Sequence, residues 1–187
     1  MTNKKVIKKT PFGPVCIVWS ESKSQPLIVN ILLSGPGLSA ENRAAKLFPD
    51  SRISSCTEID RIAFSINAYL EGENVFLPLN IVDLSPYSKF QQSVLRAQYA
   101  IPRGSVSTYG LIAAHVSVPG GARAVGNVMS GNPFPLIIPC HRTIRSGHQL
   151  GGFGGGKEMK RVLLENEGII FDKVGKVVCK QLHYAAK

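Results

Sequence analysis

Residues 107–130, Ser-Thr-Tyr-Gly-Leu-Ile-Ala-Ala-His-Val-Ser-Val-Pro-Gly-Gly-Ala-Arg-Ala-Val-Gly-Asn-Val-Met-Ser, decide the fold of the second half of the chain. A hydroxyl at Ser107 or Thr108 can cap a short helix over Tyr109–His115. Val118-Pro119-Gly120-Gly121 breaks it, and a second short helix runs over Ala122–Ser130 until Gly131 stops it. Two short helices across a glycine-containing turn form the helix-turn-helix pattern. Many helical proteins contain such a pair, so its setting decides what it means.

That setting is basic. The chain has 187 residues, 22 Lys+Arg against 12 Asp+Glu, and a net charge of +10. Residues 1–85 carry 9 basic and 8 acidic side chains, whereas residues 86–187 carry 13 and 4. A near-neutral half followed by a basic one suggests a polyanion partner for the second, nucleic acid before anionic membrane. Solubility alone is the bland account of the same charge.

Upstream of the pair, Phe90, Val94, Ala97 and Ile101 lie on one face of a helix ended by Pro102 and Gly104. Downstream, a proline-bracketed apolar segment spans Asn132 to Pro139, and a last helix covers Lys157–Asn166 with Gly168 past its end. The first half reads as mixed α and β. Val15–Ser20 and Pro26–Leu33 form paired strands around a polar Ser/Lys/Gln stretch. Helices follow over Ser39–Leu47 and from Thr57, where Thr57 and Asp60 can cap, to Gly72. Val75–Val82 reads as a further strand, and Asp83, Ser85 and Pro86 link the halves. The expected class is α+β, with an α/β domain over 1–85 and a mostly helical domain over 86–187 that carries the helix-turn-helix. The tail from Ile169 to Lys187 reads as an extra strand or a mobile basic end.

Several functions drop out. The apolar run Pro26–Leu33 is far too short to cross a bilayer, and Met1–Lys5 leads into no apolar secretory core. Cys16, Cys56, Cys140 and Cys179 form no Cys-x-x-Cys pair, so neither a zinc knuckle nor a redox dithiol is expected. Gly151-x-x-x-x-Gly156-Lys157 fits most of a phosphate-binding loop. Glu158, however, stands where Ser or Thr should bind magnesium, and no buried strand precedes it. An NTPase is excluded.

Cys140-His141-Arg142 follows the proline-bracketed segment directly. A thiol is a poor nucleophile until it becomes a thiolate, and a basic or cationic neighbour makes that accessible. A buried structural cysteine beside surface residues is the ordinary alternative. A rigid approach and the glycine stretch after it instead suggest a site held in one geometry.

Arg123-Ala-Val-Gly126, Gly131-Asn132-Pro133 and Ile138-Pro139-Cys140-His141-Arg142, in this order and spacing, resemble the O6-alkylguanine-DNA alkyltransferases. The resemblance is strong from about Phe90 to Gly168. It implies an N-terminal α/β domain of ribonuclease H-like shape, followed by a winged helix-turn-helix-like DNA-binding unit. The implied activity is single-turnover transfer of a methyl or other alkyl group from guanine O6, or thymine O4, of a flipped base to Cys140. No cofactor and no metal are implied. The implied partner is duplex DNA bound in the minor groove by a monomer, in the cytoplasm or nucleus.

Roles follow the matching positions. Cys140 is the alkyl acceptor, His141 takes its proton through a water, and Glu167 orients His141. From the residues alone Glu167 would be a solvated helix-end carboxylate. Tyr109 donates to the guanine as its leaving group gains charge. Arg123 enters the stack in place of the extruded nucleotide, Ala124, Gly126 and Arg142 belong to the DNA-binding set, and Asn132 holds the hinge of the turn. The pocket is formed by Thr143, Phe153, Gly154 and Lys160. Phe153 replaces a frequent Tyr and Gly154 a frequent Ser. Thr143, for a usual Val, is expected to be nearly neutral because its carbonyl reads the base. Lys160 favours the thiolate, although it otherwise reads as a surface lysine. A lesion-recognising protein that does not repair DNA, and a sequence-specific regulator, are the alternatives. Relatives of the first kind carry tryptophan at the cysteine position.

Overall fold

A computed structural model describes residues 3–22 and 25–185. Met1 and Thr2 of the N-terminal stretch, Lys23 and Ser24 of the polar stretch, and the last two residues of the tail lie outside the described residues. The chain divides into two compact units, one of residues 1–84 with 133–137, the other of 85–132 with 138–187.

The first unit is built on a four-stranded sheet. Strands β1 (Lys4–Lys8), β2 (Val15–Glu21) and β3 (Pro26–Leu33) form an antiparallel meander. Helix α1 (Ala40–Leu47) leads to the short strand β4 (Arg52–Ile53), parallel to β1, and then to helix α2 (Thr57–Leu70). The strand order is β3-β2-β1-β4. Val15–Trp19 of β2 is buried throughout, because alternate residues face opposite sides and both sides are covered. Cys16 and Val18 pack with Leu32 against Ala40 and Ala44 of α1. On the other face the Trp19 indole donates to the Ser54 carbonyl at 3.0 Å. Strand β1 escapes the apolar pattern because three of its five residues are lysine.

Three features differ from the sequence reading. Thr57 is the first residue of α2 rather than its cap; Cys56 holds that position without a side-chain bond, while the Ser55 hydroxyl donates to Asp60 at 2.7 Å. Residues 75–82 form a 3-10 turn over Leu79–Ile81 instead of a strand, with only Val82 bridging to Ile28. Pro78 in that run has no N–H for a ladder. Residues 133–137, expected in the second domain, join the first unit. Phe134, Leu136 and Ile137 are buried, and the Ile31 N–H donates to the Pro133 carbonyl at 2.7 Å.

In the second unit, helix α3 (Lys89–Ala100) starts with a capping box between Ser88 and Gln91. Strand β5 (Ser107–Thr108) leads into helix α4 (Tyr109–His115), capped by the Thr108 hydroxyl, and helix α5 (Ala122–Ser130) packs on α4. Gly121 is required in the turn between them, since a Cβ there would lie 2.8 Å from both the side chain and the carbonyl of Val118. After a 3-10 turn over Cys140–Arg142, strand β6 (Thr143–Ile144) pairs in parallel with β5. Helix α6 (Lys157–Asn166) ends at Glu167, with Gly168 at φ +85° beyond it. The tail is ordered by pairing: β7 (Ile170–Phe171) and β8 (Val177–Val178) form an antiparallel hairpin. The Tyr184 hydroxyl then donates to the Ala97 carbonyl. Among the described residues no helix is long and apolar enough to cross a membrane.

Candidate active site

The Cys140–Arg142 turn brings three neighbouring side chains to Asn132, to Glu167, and to Glu167 with the Ile101 carbonyl. Cys140 is partly exposed at its start. The Asn132 amide donates to the Ile138 carbonyl at 2.9 Å and also reaches the Cys140 sulfur, so one side chain closes the turn and touches the thiol. Burial raises the thiol pKa, and the Asn132 hydrogen bond and the Lys160 charge oppose it. The resting group is therefore a thiol that needs a base.

His141 is fully buried, with its Nε2 3.0 Å from Glu167 Oε1. Burial lowers its pKa against the pull of Glu167, so the ring is neutral near pH 7 and able to accept a proton. Burial would raise the Glu167 pKa, yet hydrogen bonds from His141 and Arg142 outweigh it and hold the carboxyl far below its ordinary range. A solvated helix-end carboxylate is excluded, because the Glu167 side chain is 0% exposed.

Arg142 was expected at DNA. Its Nε lies 3.1 and 2.9 Å from the two Glu167 oxygens, Nη2 donates to Oε1 at 2.9 Å, and Nη1 donates to the Ile101 carbonyl at 2.7 Å. These contacts turn the guanidinium toward Glu167 and Ile101, leaving 11% of the side chain exposed.

Lys160 is likewise corrected. It is not a surface lysine but fully buried, with Nζ donating to the Thr143 carbonyl at 2.6 Å and to the Gly152 carbonyl at 3.2 Å. Burial brings its pKa down to about 8. Thr143 uses both its hydroxyl and its carbonyl. Its hydroxyl donates to the Gln98 amide oxygen, and its carbonyl already accepts from Lys160. The Gln98 amide in turn donates to the Pro139 carbonyl at 2.7 Å.

Tyr109, at the start of α4, lies where a negative charge on Cys140 would act on it. Burial first and that charge second raise its pKa, so its hydroxyl stays a donor. Phe153 meets the His141 ring edge-on at 6.0 Å. Gly154 is exposed with open space beside its Cα. Arg123 is exposed on α5, whereas Ala124 and Gly126 are half-buried there; a Cβ on Gly126 would come 3.9 Å from the Tyr109 ring. The structure thus gathers Cys140, His141, Glu167, Asn132, Thr143, Lys160 and Tyr109. Hydrogen bonds within the group engage every member except Tyr109, which is linked to it electrostatically, and Arg123 lies outside it.

Two contributors were missed in the sequence. Gln98 looks like a surface glutamine, although its position four residues after Val94 and three before Ile101 puts it on the buried face of α3. Arg145, whose charge acts on Tyr109 and Lys160, carried no signal. Among the described residues no group of three or more His, Cys, Asp and Glu side chains could hold a metal.

Residues 89–169 match the family described as 6-O-methylguanine DNA methyltransferase, DNA binding domain. A methylated-DNA–protein-cysteine methyltransferase of Methanothermobacter thermautotrophicus is 41% identical over 111 residues, covering 59% of this chain and 62% of that protein. One from Methanosarcina acetivorans is 32% identical over 163 residues, covering 87% of this chain and 96% of that one. The chain thus spans less than two thirds of the first relative's length and nearly all of the second's. The crystal structure of Mycobacterium tuberculosis OGT in complex with DNA is similar at a TM-score of 0.65 and 30% identity, covering 88% of this chain and 91% of that one.

Proposed function

The chain belongs to the methylated-DNA–protein-cysteine methyltransferase family, and on that premise we propose that it repairs DNA by moving an alkyl group from guanine O6, or thymine O4, to Cys140. The observation that carries this is the combination of a buried, neutral His141 tied to Glu167 with a thiol that burial keeps protonated.

In the proposed step the Cys140 proton passes through a water to the His141 nitrogen not engaged by Glu167. The sulfur attacks the alkyl carbon, a C–S bond forms, and the C–O6 bond breaks. The electron pair stays on guanine, where the Tyr109 hydroxyl donates as charge develops; guanine then takes up a proton from water as His141 returns the one it accepted. A neutral His141 is the protonation state this requires, and the raised Tyr109 pKa keeps its proton available. The thioether cannot be hydrolysed by these groups, so each chain acts once. No cofactor enters the step.

The substrate base is flipped out of duplex DNA, at a cost of roughly a few kcal/mol. Exposed Arg123 on α5 supports insertion in its place, with Ala124 and Gly126 of that helix against the minor groove. The α4–α5 pair and the β7–β8 hairpin support a winged helix-turn-helix-like unit, and the meander with a parallel β4 supports a ribonuclease H-like first unit. Phe153, Gly154, Thr143 and Lys160 wall the pocket. The protein acts as a cytoplasmic or nuclear monomer.

The test offers a duplex with one O6-methylguanine to the wild type and to Cys140→Ala. The account predicts that both bind and only the wild type removes the lesion. Equal behaviour of the two would favour a lesion-recognising protein without repair.

A further inference from the structure

Arg142 turns its guanidinium into the protein, with 11% of its side chain exposed. It ties the turn of Cys140 to Glu167, the residue that caps the end of α6, and to Ile101, which caps the end of α3. Glu167 Oε1 accepts from Arg142 Nε and Nη2, and the same oxygen is the partner of His141 Nε2 at 3.0 Å. The histidine and the arginine therefore share the charge of a single buried atom. A bidentate arginine–carboxylate pair is short, strong and fixed in direction. What Arg142 takes from Oε1 is not available to the imidazole.

We propose that Arg142 is a positioning residue, whose fork on Glu167 sets how strongly the carboxylate pulls on His141 and so how readily His141 holds a proton. The inference rests on the reading of His141 as the base for Cys140. The charged and titratable groups facing His141 are Glu167 and Lys160 from α6, and Cys140 and Arg142 from its own turn. Of these Arg142 alone contacts both carboxylate oxygens. Its charge also opposes protonation of His141 directly. With the fork in place the imidazole stays unprotonated at neutral pH, free to take the thiol proton. Without it the His141–Glu167 pair keeps a proton to higher pH, and the base is blocked over more of that range.

The experiment has two arms. The His141 titration is followed by NMR in the protein without DNA, for the wild type, Arg142→Gln and Arg142→Lys. The transfer rate is measured against pH at saturating O6-methylguanine duplex, with the Kd for that duplex. The proposal predicts that Arg142→Gln moves the His141 midpoint and the acid limb of the rate profile upward together, by about one pH unit, at unchanged Kd. Arg142→Lys, which keeps a cation but not the fork, moves both less in the same direction, and it carries the comparison should Arg142→Gln fail to fold. An unmoved midpoint with weakened DNA binding would return Arg142 to the DNA. An unmoved midpoint with only a lower Tm would make it structural; either overturns the proposal. If the wild type transfers nothing, the functional reading fails while the NMR arm still decides this one.

Discussion

Cys140 stands where two influences meet: burial, which keeps its proton on, and a buried lysine, which favours taking it off. Lys160 is costly to hold in that place. Its ordinary pKa of 10.5 falls to about 8, so the folded chain binds this proton less tightly than the unfolded one. Between those values the unfolded state carries more protons, and stability rises with pH. Compared with Lys160→Met, both in a Cys140→Ser background, the lysine protein gains ~3 kcal/mol across that window. Urea unfolding at a series of pH values measures the difference, and a flat difference would mean that Lys160 titrates like an exposed lysine.

At the scale of elements, α3 and α6 hold the active-site turn from two sides. Gln98 of α3 bonds the residue before Cys140 and the residue after Arg142, and Lys160 of α6 bonds Thr143 again. Thr143→Val strands the Gln98 oxygen in a dry interior and is predicted to cost about 1–3 kcal/mol. Gln98→Leu alone also strands the Pro139 carbonyl, so the pairing is read as a coupling: Thr143→Val is predicted to cost less in a Gln98→Leu background than in the wild type, by chemical denaturation. Strictly additive costs would contradict the pairing. The helices around this brace were legible in the sequence: Tyr109–His115, Ala122–Ser130 and Lys157–Asn166 end where capping and glycine signals say they should. The brace was not, because one glutamine inside an amphipathic pattern looks like every other polar residue until its face is known. Strand β1 was hidden for the opposite reason, since long lysine stems can flank a paired strand without breaking it.

For the molecule as a whole, the uneven charge, with 13 of the 22 basic residues beyond residue 85, suggests a polyanion partner but fits solubility as well. Two of them, Arg142 and Lys160, turn inward to serve the site. Charge counts cannot separate a buried cation from a surface one; that distinction is made by Glu167, Thr143 and Gly152, far away in sequence or hidden in backbone carbonyls. The motif around Cys140 carried the chemistry because its residues are adjacent in the chain. Partners recruited from other elements emerged only with the fold. The central claim, that Cys140 is the acceptor and is used once, is tested by incubating the protein with excess O6-methylguanine duplex and weighing the Cys140 peptide. The account predicts a gain of one methyl mass that saturates at one per chain, while an unmodified Cys140 peptide from protein bound to the lesion would contradict it.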